Sequence, residues 1–105
     1  MIPAYDPEMA MVLQNIMKDV PGAKPGKMFG MPAFMVNGKL AVGVYSDGVV
    51  AKVGEQRAKA LAGKNGVEGA MMRGRPWKEW VRVSGDLAPH RALFEEAVRY
   101  VAANG

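Results

Sequence analysis

Basic and aromatic residues are interleaved in one segment, residues 72–83, which reads MRGRPWKEWVRV. Alternation with a period of two predicts a strand that places Lys78, Trp80 and Arg82 on one face. Arg73 and Arg75 lie just upstream of that strand. Guanidinium and ammonium groups bind phosphate, and an accessible aromatic ring stacks on a nucleic-acid base. These five residues are therefore the candidate contacts for nucleic acid or for another partner.

The same segment has a simpler interpretation, in which its tryptophans are packing residues and its cations are only solvated. Trp77 falls on the second face of the predicted strand, with Glu79 and the two valines, and Trp is usually well buried in proteins. The solvent exposure of Trp80 separates the two interpretations. A ring buried beneath a helix would favour packing, whereas a ring open beside Lys78 and Arg82 would favour stacking.

Residues for nucleophilic or acid–base catalysis are sparse. His90 is the only histidine, and it lies near Ser84 and Asp86 only because all three surround one predicted helix start. Asp86 as the cap of that helix, and His90 as a surface residue of its first turn, account for the cluster. The glycine-rich loop GKNGVEG, residues 63–69, follows a helix and therefore lacks the helix N-terminus that a phosphate cradle uses. No catalytic residue is predicted.

Methionine is the residue type whose sulfur suggests a metal. The chain has nine methionines and no cysteine, and Met28, Met31 and Met35 would be thioether ligands for copper(I). In one extended strand Met28 and Met31 would point to opposite faces, which keeps the three sulfurs apart. The carboxylates show no ligand-like spacing. We therefore expect no metal and no cofactor, and we expect the methionines to fill the core.

The elements that position these residues follow from caps, turns and periodicity. Asp6-Pro7-Glu8 predicts a helix that ends before PGAKPG at 21–26, and Asn37-Gly38 predicts the hairpin joining the first two strands of a meander. The later elements are a third strand at 49–53, a helix at 55–62, a short strand or arm at 71–76, the strand at 77–83, and a closing helix. The order α-β-β-β-α-β(β)-α predicts an α+β fold: a central antiparallel sheet flanked by N-terminal, middle and C-terminal helices.

Two further predictions concern side chains in the second strand of the meander and in the closing helix. In the second strand of the meander, alternation places Leu40 with Val42 on one face. Gly43 in the same strand indicates a bulge, or another element packed closely over it. In the closing helix, five apolar residues are predicted to form the buried stripe: Leu93, Phe94, Ala97, Val98 and Val101.

Length and composition indicate one small domain, residues 1–105. The absence of cysteine excludes disulfides and suits a reducing compartment. No apolar run is long enough to span a membrane, and the N-terminus lacks the basic start of a secretory signal, so we expect a cytoplasmic protein. Residues 50–82 carry eight basic and three acidic side chains, which accounts for the net charge of +4. An anion-facing surface and ordinary surplus lysines both explain this excess.

Two motifs resemble the TfoX/Sxy N-terminal domain family. They are GKMFGMPAFMVNGKLAVGVYSDGVVAKV at 26–53 and GRPWKEWVRV at 74–83, and the likeness extends over residues 21–101. The chain looks most similar to the small stand-alone members. In the two-domain regulators the first motif commonly opens with MFGG, whereas Met31 and Pro32 follow MFG here.

The resemblance implies an α+β fold with helices around an antiparallel sheet, and it supplies no catalytic residue or cofactor. The larger members are bacterial regulators of natural competence that carry a second, helical domain. A chain ending at Gly105 is expected to lack that second domain, so no activity that belongs to it is transferred here.

Two functional hypotheses follow. The first is a non-enzymatic regulatory or interaction domain of the TfoX N-terminal type, which contacts an unknown protein or a second copy of the chain through a sheet edge or an apolar helix face. The alternative is a nucleic-acid-binding module that uses the segment 73–82. An enzyme ranks last, because no acid, base or nucleophile is set apart by its spacing. Association with a membrane is not expected.

Overall fold

The structure, a computed structural model, describes residues 5–104. Its helices and strands follow one another in the order α-β-β-β-β-α-β-β-α. The helices are α1 (Pro7–Met17), α2 (Glu55–Leu61) and α3 (Arg91–Asn104), and the strands are β1 (Lys24–Met28), β2 (Met31–Val36), β3 (Lys39–Tyr45), β4 (Gly48–Lys52), β5 (Val67–Met72) and β6 (Arg75–Ser84). A short 3-10 helix, Ala88–His90, precedes α3. Residues 1–4 and Gly105, which the single-domain prediction includes, lie outside the described residues.

The six strands form one antiparallel sheet in the order β1-β2-β3-β4-β6-β5. Three of its hairpins close with two-residue turns, Phe29-Gly30, Asn37-Gly38 and Arg73-Gly74, and in each turn both central residues have positive φ. This turn geometry matches the right-handed twist of paired strands. The predicted α+β class and the predicted antiparallel sheet are confirmed.

The strands differ from the prediction at two places. The prediction omits β1, because Pro25-Gly26 in it is typical of a helix terminator. An edge strand accepts proline, since one side of it makes no ladder hydrogen bonds. β5 begins at Val67, inside the segment predicted as the loop 63–69, and it includes part of the predicted short strand or arm. The predicted first strand of the meander is therefore β2.

One face of the sheet, here called the helix face, packs against the helices. Valines of the central strands alternate onto it, and helix residues such as Leu13 and Phe94, both fully buried, cover them. All five residues of the stripe predicted for α3 are buried, which confirms that prediction. Asp6 caps α1 as predicted, because its carboxylate accepts hydrogen bonds from the backbone N–H groups of Glu8 and Met9 at 3.0 and 3.4 Å.

The opposite face, here called the concave face, curls around a second and smaller apolar cluster. The cluster is built from strand residues: Met28, Ala33, Val50, Ala70 and Met72, with Leu40, Tyr45, Trp77 and Trp80 packed against it. The turn between β1 and β2 reaches the hairpin of β5 and β6 near the other edge of the sheet, since the Phe29 and Trp77 rings are 6.3 Å apart. The strands themselves therefore cover the concave face.

A bulge in β3 changes which of its side chains lie on each face of the sheet. A register shift beside Met35 leaves Ala41 as an extra residue, so Leu40 packs on the concave cluster instead of lying beside Val42 as predicted. A Cβ added to Gly43 would lie 3.1 Å from the Met28 methyl carbon. The close packing predicted at this glycine is confirmed. Among the helices of residues 5–104, none is long and apolar enough to cross a membrane.

Candidate functional site

A bulge at residues 78–80 of β6, here called the corner, positions the candidate residues. The register between β5 and β6 shifts at Ala70, which pairs with Trp77, so residues 78–80 are extra on β6. The backbone carbonyl of Glu79 accepts two N–H bonds, at 2.9 and 3.0 Å, from the residues that follow β4. A bulge of this kind bends the strand and changes which side chains share a face.

α3 holds the same corner through a side chain. The Tyr100 hydroxyl donates to Glu79 Oε1 at 2.8 Å, and this hydrogen bond, together with burial, raises the pKa of Tyr100 above its ordinary value. Gly54 lies against the Tyr100 ring, where an added Cβ would be 2.8 Å from Cε1, and its φ of 94° also favours glycine. The end of β4, the corner of β6 and α3 are therefore packed as one unit.

The corner brings the two tryptophans together. The Trp77 and Trp80 rings are 4.9 Å apart at an angle of 50°, and both pack against the concave cluster. The prediction that Trp77 shares a face with the valines of β6 is wrong, because the three extra residues of the bulge change its side. Trp80 is half-buried: one part of it packs on Trp77, and the rest lines two shallow grooves beside α2.

Phe29 and Tyr45 extend the tryptophan pair into a line of four rings, here called the aromatic row: Tyr45, Phe29, Trp77 and Trp80. The Phe29 ring lies 6.3 Å from the rings of both Tyr45 and Trp77. Phe29 is 59% exposed, whereas the other three rings are half-buried. Its φ of 54° is uncommon for a bulky residue, and strained positions of this type cluster at functional sites.

Three cations lie on the β5–β6 hairpin, and they are here called the cationic rim: Arg73, Arg75 and Lys78. The guanidinium carbon of Arg73 lies 5.7 Å from the centre of the Phe29 ring, which is a cation–π distance. Arg75 is exposed at the start of β6, and Lys78 is exposed at its corner. Within residues 5–104 none of the three forms an ion pair with a carboxylate. Their charges therefore remain available to an anion.

Arg82, the fifth candidate, lies apart from the cationic rim. It forms an ion pair with Asp47 in the turn between β3 and β4. Its guanidinium lies across Gly48, where an added Cβ would be 2.8 Å from Nε, and Glu68 occupies the paired position on β5. The ion pair with Asp47 thus offsets the charge of Arg82. The structure places the other four candidates at the tip and corner of one hairpin and leaves Arg82 outside this group.

Met28 and Met31 lie on the same face, contrary to the prediction. They end β1 and begin β2, they are direct partners across the Phe29-Gly30 turn, and directly paired residues share a face. Both are buried, in agreement with the core role predicted for methionine. Within the described part of the chain, no group of three His, Cys, Asp or Glu side chains is placed to hold a metal.

Ser84, Asp86 and His90 surround the 3-10 helix that leads into α3. Asp86 Oδ1 accepts a hydrogen bond from the backbone N–H of Ala88 at 3.3 Å, at the start of the 3-10 helix. Asp86 is therefore not the predicted cap of the closing helix itself, because α3 begins only at Arg91. Among the described residues, no hydrogen bond joins the three side chains to one another. Their proximity is therefore explained by the helix start.

The sequence-based prediction does not include Phe29 and Tyr45. The available signal is Phe29-Gly30, a residue followed by glycine between two short strands, which is the pattern of Asn37-Gly38. Phenylalanine is not among the residues that favour turns, so the pattern is easily read as continuous strand. Tyr45 gives no comparable signal, because its neighbour in the row comes from a different hairpin.

Comparisons with known proteins do not identify a relative. No protein-family model matches the chain, and neither the curated proteins nor the solved structures yielded a significant match. The aromatic row and the cationic rim therefore carry the functional argument.

Proposed function

We propose that the chain is a non-enzymatic regulatory or interaction domain of the TfoX N-terminal type, and that it binds a partner through the aromatic row and the cationic rim. The observation that carries the proposal is the exposed ring of Phe29 in the middle of this surface. Phe29 keeps 59% of its area in solvent although three side chains lie around its ring. A partner that covers this area would gain apolar burial at a ring that is already held in place.

The composition of the surface supports the same function. Trp, Tyr, Phe, Met and Arg are enriched at the centres of interfaces, and Trp, Tyr and Arg dominate the residues that contribute most to affinity. The row supplies four rings and the rim supplies two arginines. This combination is typical of a contact surface.

The framework beneath the surface supports binding without rearrangement. Hydrogen bonds from the end of β4 and from Tyr100 hold the corner of β6 at Glu79. Two-residue turns with positive φ set the tips of both hairpins that meet at Phe29. A contact surface built on such fixed elements loses little conformational entropy when a partner binds.

We extend the proposal to the class of partner and to the cellular location. An unknown protein and a second copy of the chain are the partners first expected for a domain of this type, and a nucleic acid is the alternative. α1 offers an apolar surface for a second copy, since Met11 and Val12 are 66% and 42% exposed. A cytoplasmic location is supported by the absence of cysteine, which suits a reducing compartment.

Site-specific photo-crosslinking in the native cell tests this proposal. A photoreactive phenylalanine replaces Phe29 in one variant and Asn15, an exposed residue of α1, in a matched control. We expect a discrete adduct from position 29 and none from position 15. The absence of an adduct at position 29, or the same adducts at both positions, would contradict the proposal. A variant with the photoreactive residue at Met11 shows whether the apolar surface of α1 is the contact instead.

A further inference from the structure

We infer that the partner of this surface is a single-stranded polynucleotide, an inference that rests on the proposed function and names the ligand of the same site. Two features meet where the β1–β2 turn reaches the β5–β6 hairpin: cations that form no ion pair within the described residues, and the exposed Phe29 ring beside the half-buried tryptophans. Phosphates and unpaired bases are the chemical groups that these two features recognise together.

The distribution of charge selects a polyanion. Residues 50–82 carry eight basic and three acidic side chains. Each of the three carboxylates has a neighbour within the described residues: Glu55 pairs with Lys59, Glu79 accepts from Tyr100, and Glu68 lies opposite Arg82. Glu55 and Glu79 line the same groove as Lys78, but within the described residues none of the three carboxylates forms an ion pair with the cationic rim. Arg73, Arg75 and Lys78 are all exposed and present their charge to solvent. Several like charges beside an apolar strip match the regular phosphates of a polynucleotide backbone.

The orientation of the rings selects a single strand over a duplex. Neighbouring rings of the aromatic row are 4.9–6.3 Å apart and tilted by 45–72°. Tilted rings receive separate, splayed bases and do not continue a regular stack. A duplex keeps the faces of its bases stacked on one another and exposes only their edges. The rings therefore have nothing to stack on unless the bases are unpaired.

Phe29 and Arg73 form the centre of the proposed site. Each begins a two-residue turn, with φ of 54° and 52°, and the two turns meet so that the guanidinium lies over the ring. A planar guanidinium stacks on aromatic faces and binds phosphate in a bidentate manner. Arg73 is therefore placed to bind the phosphate next to the base that stacks on Phe29.

Fluorescence anisotropy with labelled oligonucleotides of about 16 nucleotides, the upper end of common site sizes, tests the inference. The three probes are oligouridylate, oligothymidylate and a DNA duplex of the same length. We expect both single strands to bind more tightly than the duplex and to quench tryptophan fluorescence. Comparison of the two single strands assigns RNA or DNA as the preferred ligand.

The salt dependence reports the number of phosphates neutralised. A single strand contributes a slope of about −0.7 in log K against log salt for each phosphate, so three cations give about −2. The affinity should then fall about 20-fold between about 50 and 200 mM salt. Replacing both Arg73 and Arg75 with Glu should abolish binding at the higher salt concentration. Lys18→Glu, an exposed residue at the end of α1, makes the same type of charge reversal on the helix side and should bind nearly as wild type.

Substitution of Phe29 tests stacking separately from charge. Phe29→Leu keeps an apolar side chain but removes the flat ring, and it should weaken single-strand binding by about 5- to 150-fold, the effect of losing one stacked base. Phe29→Tyr keeps the ring and should bind as wild type. Circular dichroism of each variant establishes that the fold is retained.

Three results would overturn the inference: no binding of any probe at low salt, equal affinity for duplex and single strands, or full affinity in Phe29→Leu. The crosslinking experiment separates this failure from failure of the proposed function. A nuclease-resistant adduct at position 29, without oligonucleotide binding, identifies a protein partner, so that the function stands and the inference falls. The absence of both the adduct and oligonucleotide binding contradicts both.

Discussion

The two faces of the sheet bury their apolar side chains in different ways. On the helix face, valines lie beneath side chains from separate helices, and residues such as Leu13 and Phe94 are completely buried. On the concave face the sheet curls over its own side chains, and Val50 and Met28 are almost as well buried at 1% and 2%. A helix layer closes the first cluster, whereas hairpin tips close the second and leave the Phe29 ring exposed where they meet.

The choice of residues follows from this difference. Valine is stiff and suits a layer between fixed elements, whereas methionine is flexible and fills irregular space. Four methionines, Met28, Met31, Met35 and Met72, belong to strands whose tips or edges form the concave face, and three of these are buried. Two of the five buried residues of the concave cluster are methionines, against one, Met17, of the 22 buried residues of the helix-face cluster.

Truncation of Phe94 should have the largest effect on stability. Phe94 is fully buried between α3 and the helix face, so Phe94→Ala leaves a cavity with little room to collapse. We expect the free energy of unfolding to fall by about 3–5 kcal/mol, measured by urea denaturation. If this variant does not fold, Phe94→Leu provides a milder measurement of the same site.

Truncation of Met72 should cost less and so sharpen the contrast between the faces. Met72 is buried in the concave cluster near the hairpin tip, where flexible neighbours can fill part of the space. Met72→Ala should lower the free energy of unfolding by about 2 kcal/mol, the lower end for such substitutions. A loss as large as that of Phe94→Ala would show that the concave cluster is as rigid as the helix face.

The hydrogen bond between Tyr100 and Glu79 predicts that the free energy of unfolding depends on pH. Because the folded state raises the pKa of Tyr100, folding favours the protonated hydroxyl. Its contribution is fully present below the unfolded pKa of about 10 and is lost as the pH rises through the higher folded pKa. Urea midpoints measured between about pH 8 and 11 should therefore fall more in the wild type than in Tyr100→Phe. Parallel curves for the two proteins would contradict this assignment.

Phe29→Asn should separate stability from binding. The substitution removes the contacts of the ring with Tyr45 and Trp77, about 0.5–1.5 kcal/mol for each aromatic pair. It also creates Asn-Gly, the pair that this turn geometry favours. Because the two effects oppose each other, the free energy of unfolding should change by less than about 1 kcal/mol. Oligonucleotide affinity should nevertheless fall by about 5- to 150-fold, because one stacked base is lost as in Phe29→Leu. Retention of full affinity would place the contact elsewhere.

Asp47→Asn should have the smallest effect on folding. The Asp47 side chain is 83% exposed, and exposed ion pairs contribute about 0–1 kcal/mol. The substitution removes the principal partner of Arg82 and so adds a free cation to the concave face. We expect unchanged urea midpoints and a somewhat steeper salt dependence of oligonucleotide binding. A weaker affinity would show that Asp47 itself positions the site.

Local signals in the sequence were sufficient for the class of fold and for several elements. The Asp6 cap, the Asn37-Gly38 hairpin and the buried stripe of α3 depend on residues within a few positions of one another. Propensity and periodicity act over that range, so they can be recognised without knowledge of the partner strands. The candidate residues at 73–80 were recognised for the same reason, because their types alternate within one short segment.

Tertiary structure decided which of those residues meet. Side chains alternate with a period of two, so one bulge is enough to move Trp77 to the side of Trp80, and one tight turn places Met28 beside Met31. The aromatic row joins Phe29 to Trp77 only because the sheet curls until strands near its two edges touch. By itself the sequence determined the elements and the residue types of the site. Strand register and curvature, which depend on pairing between distant segments, decided the surface that they form.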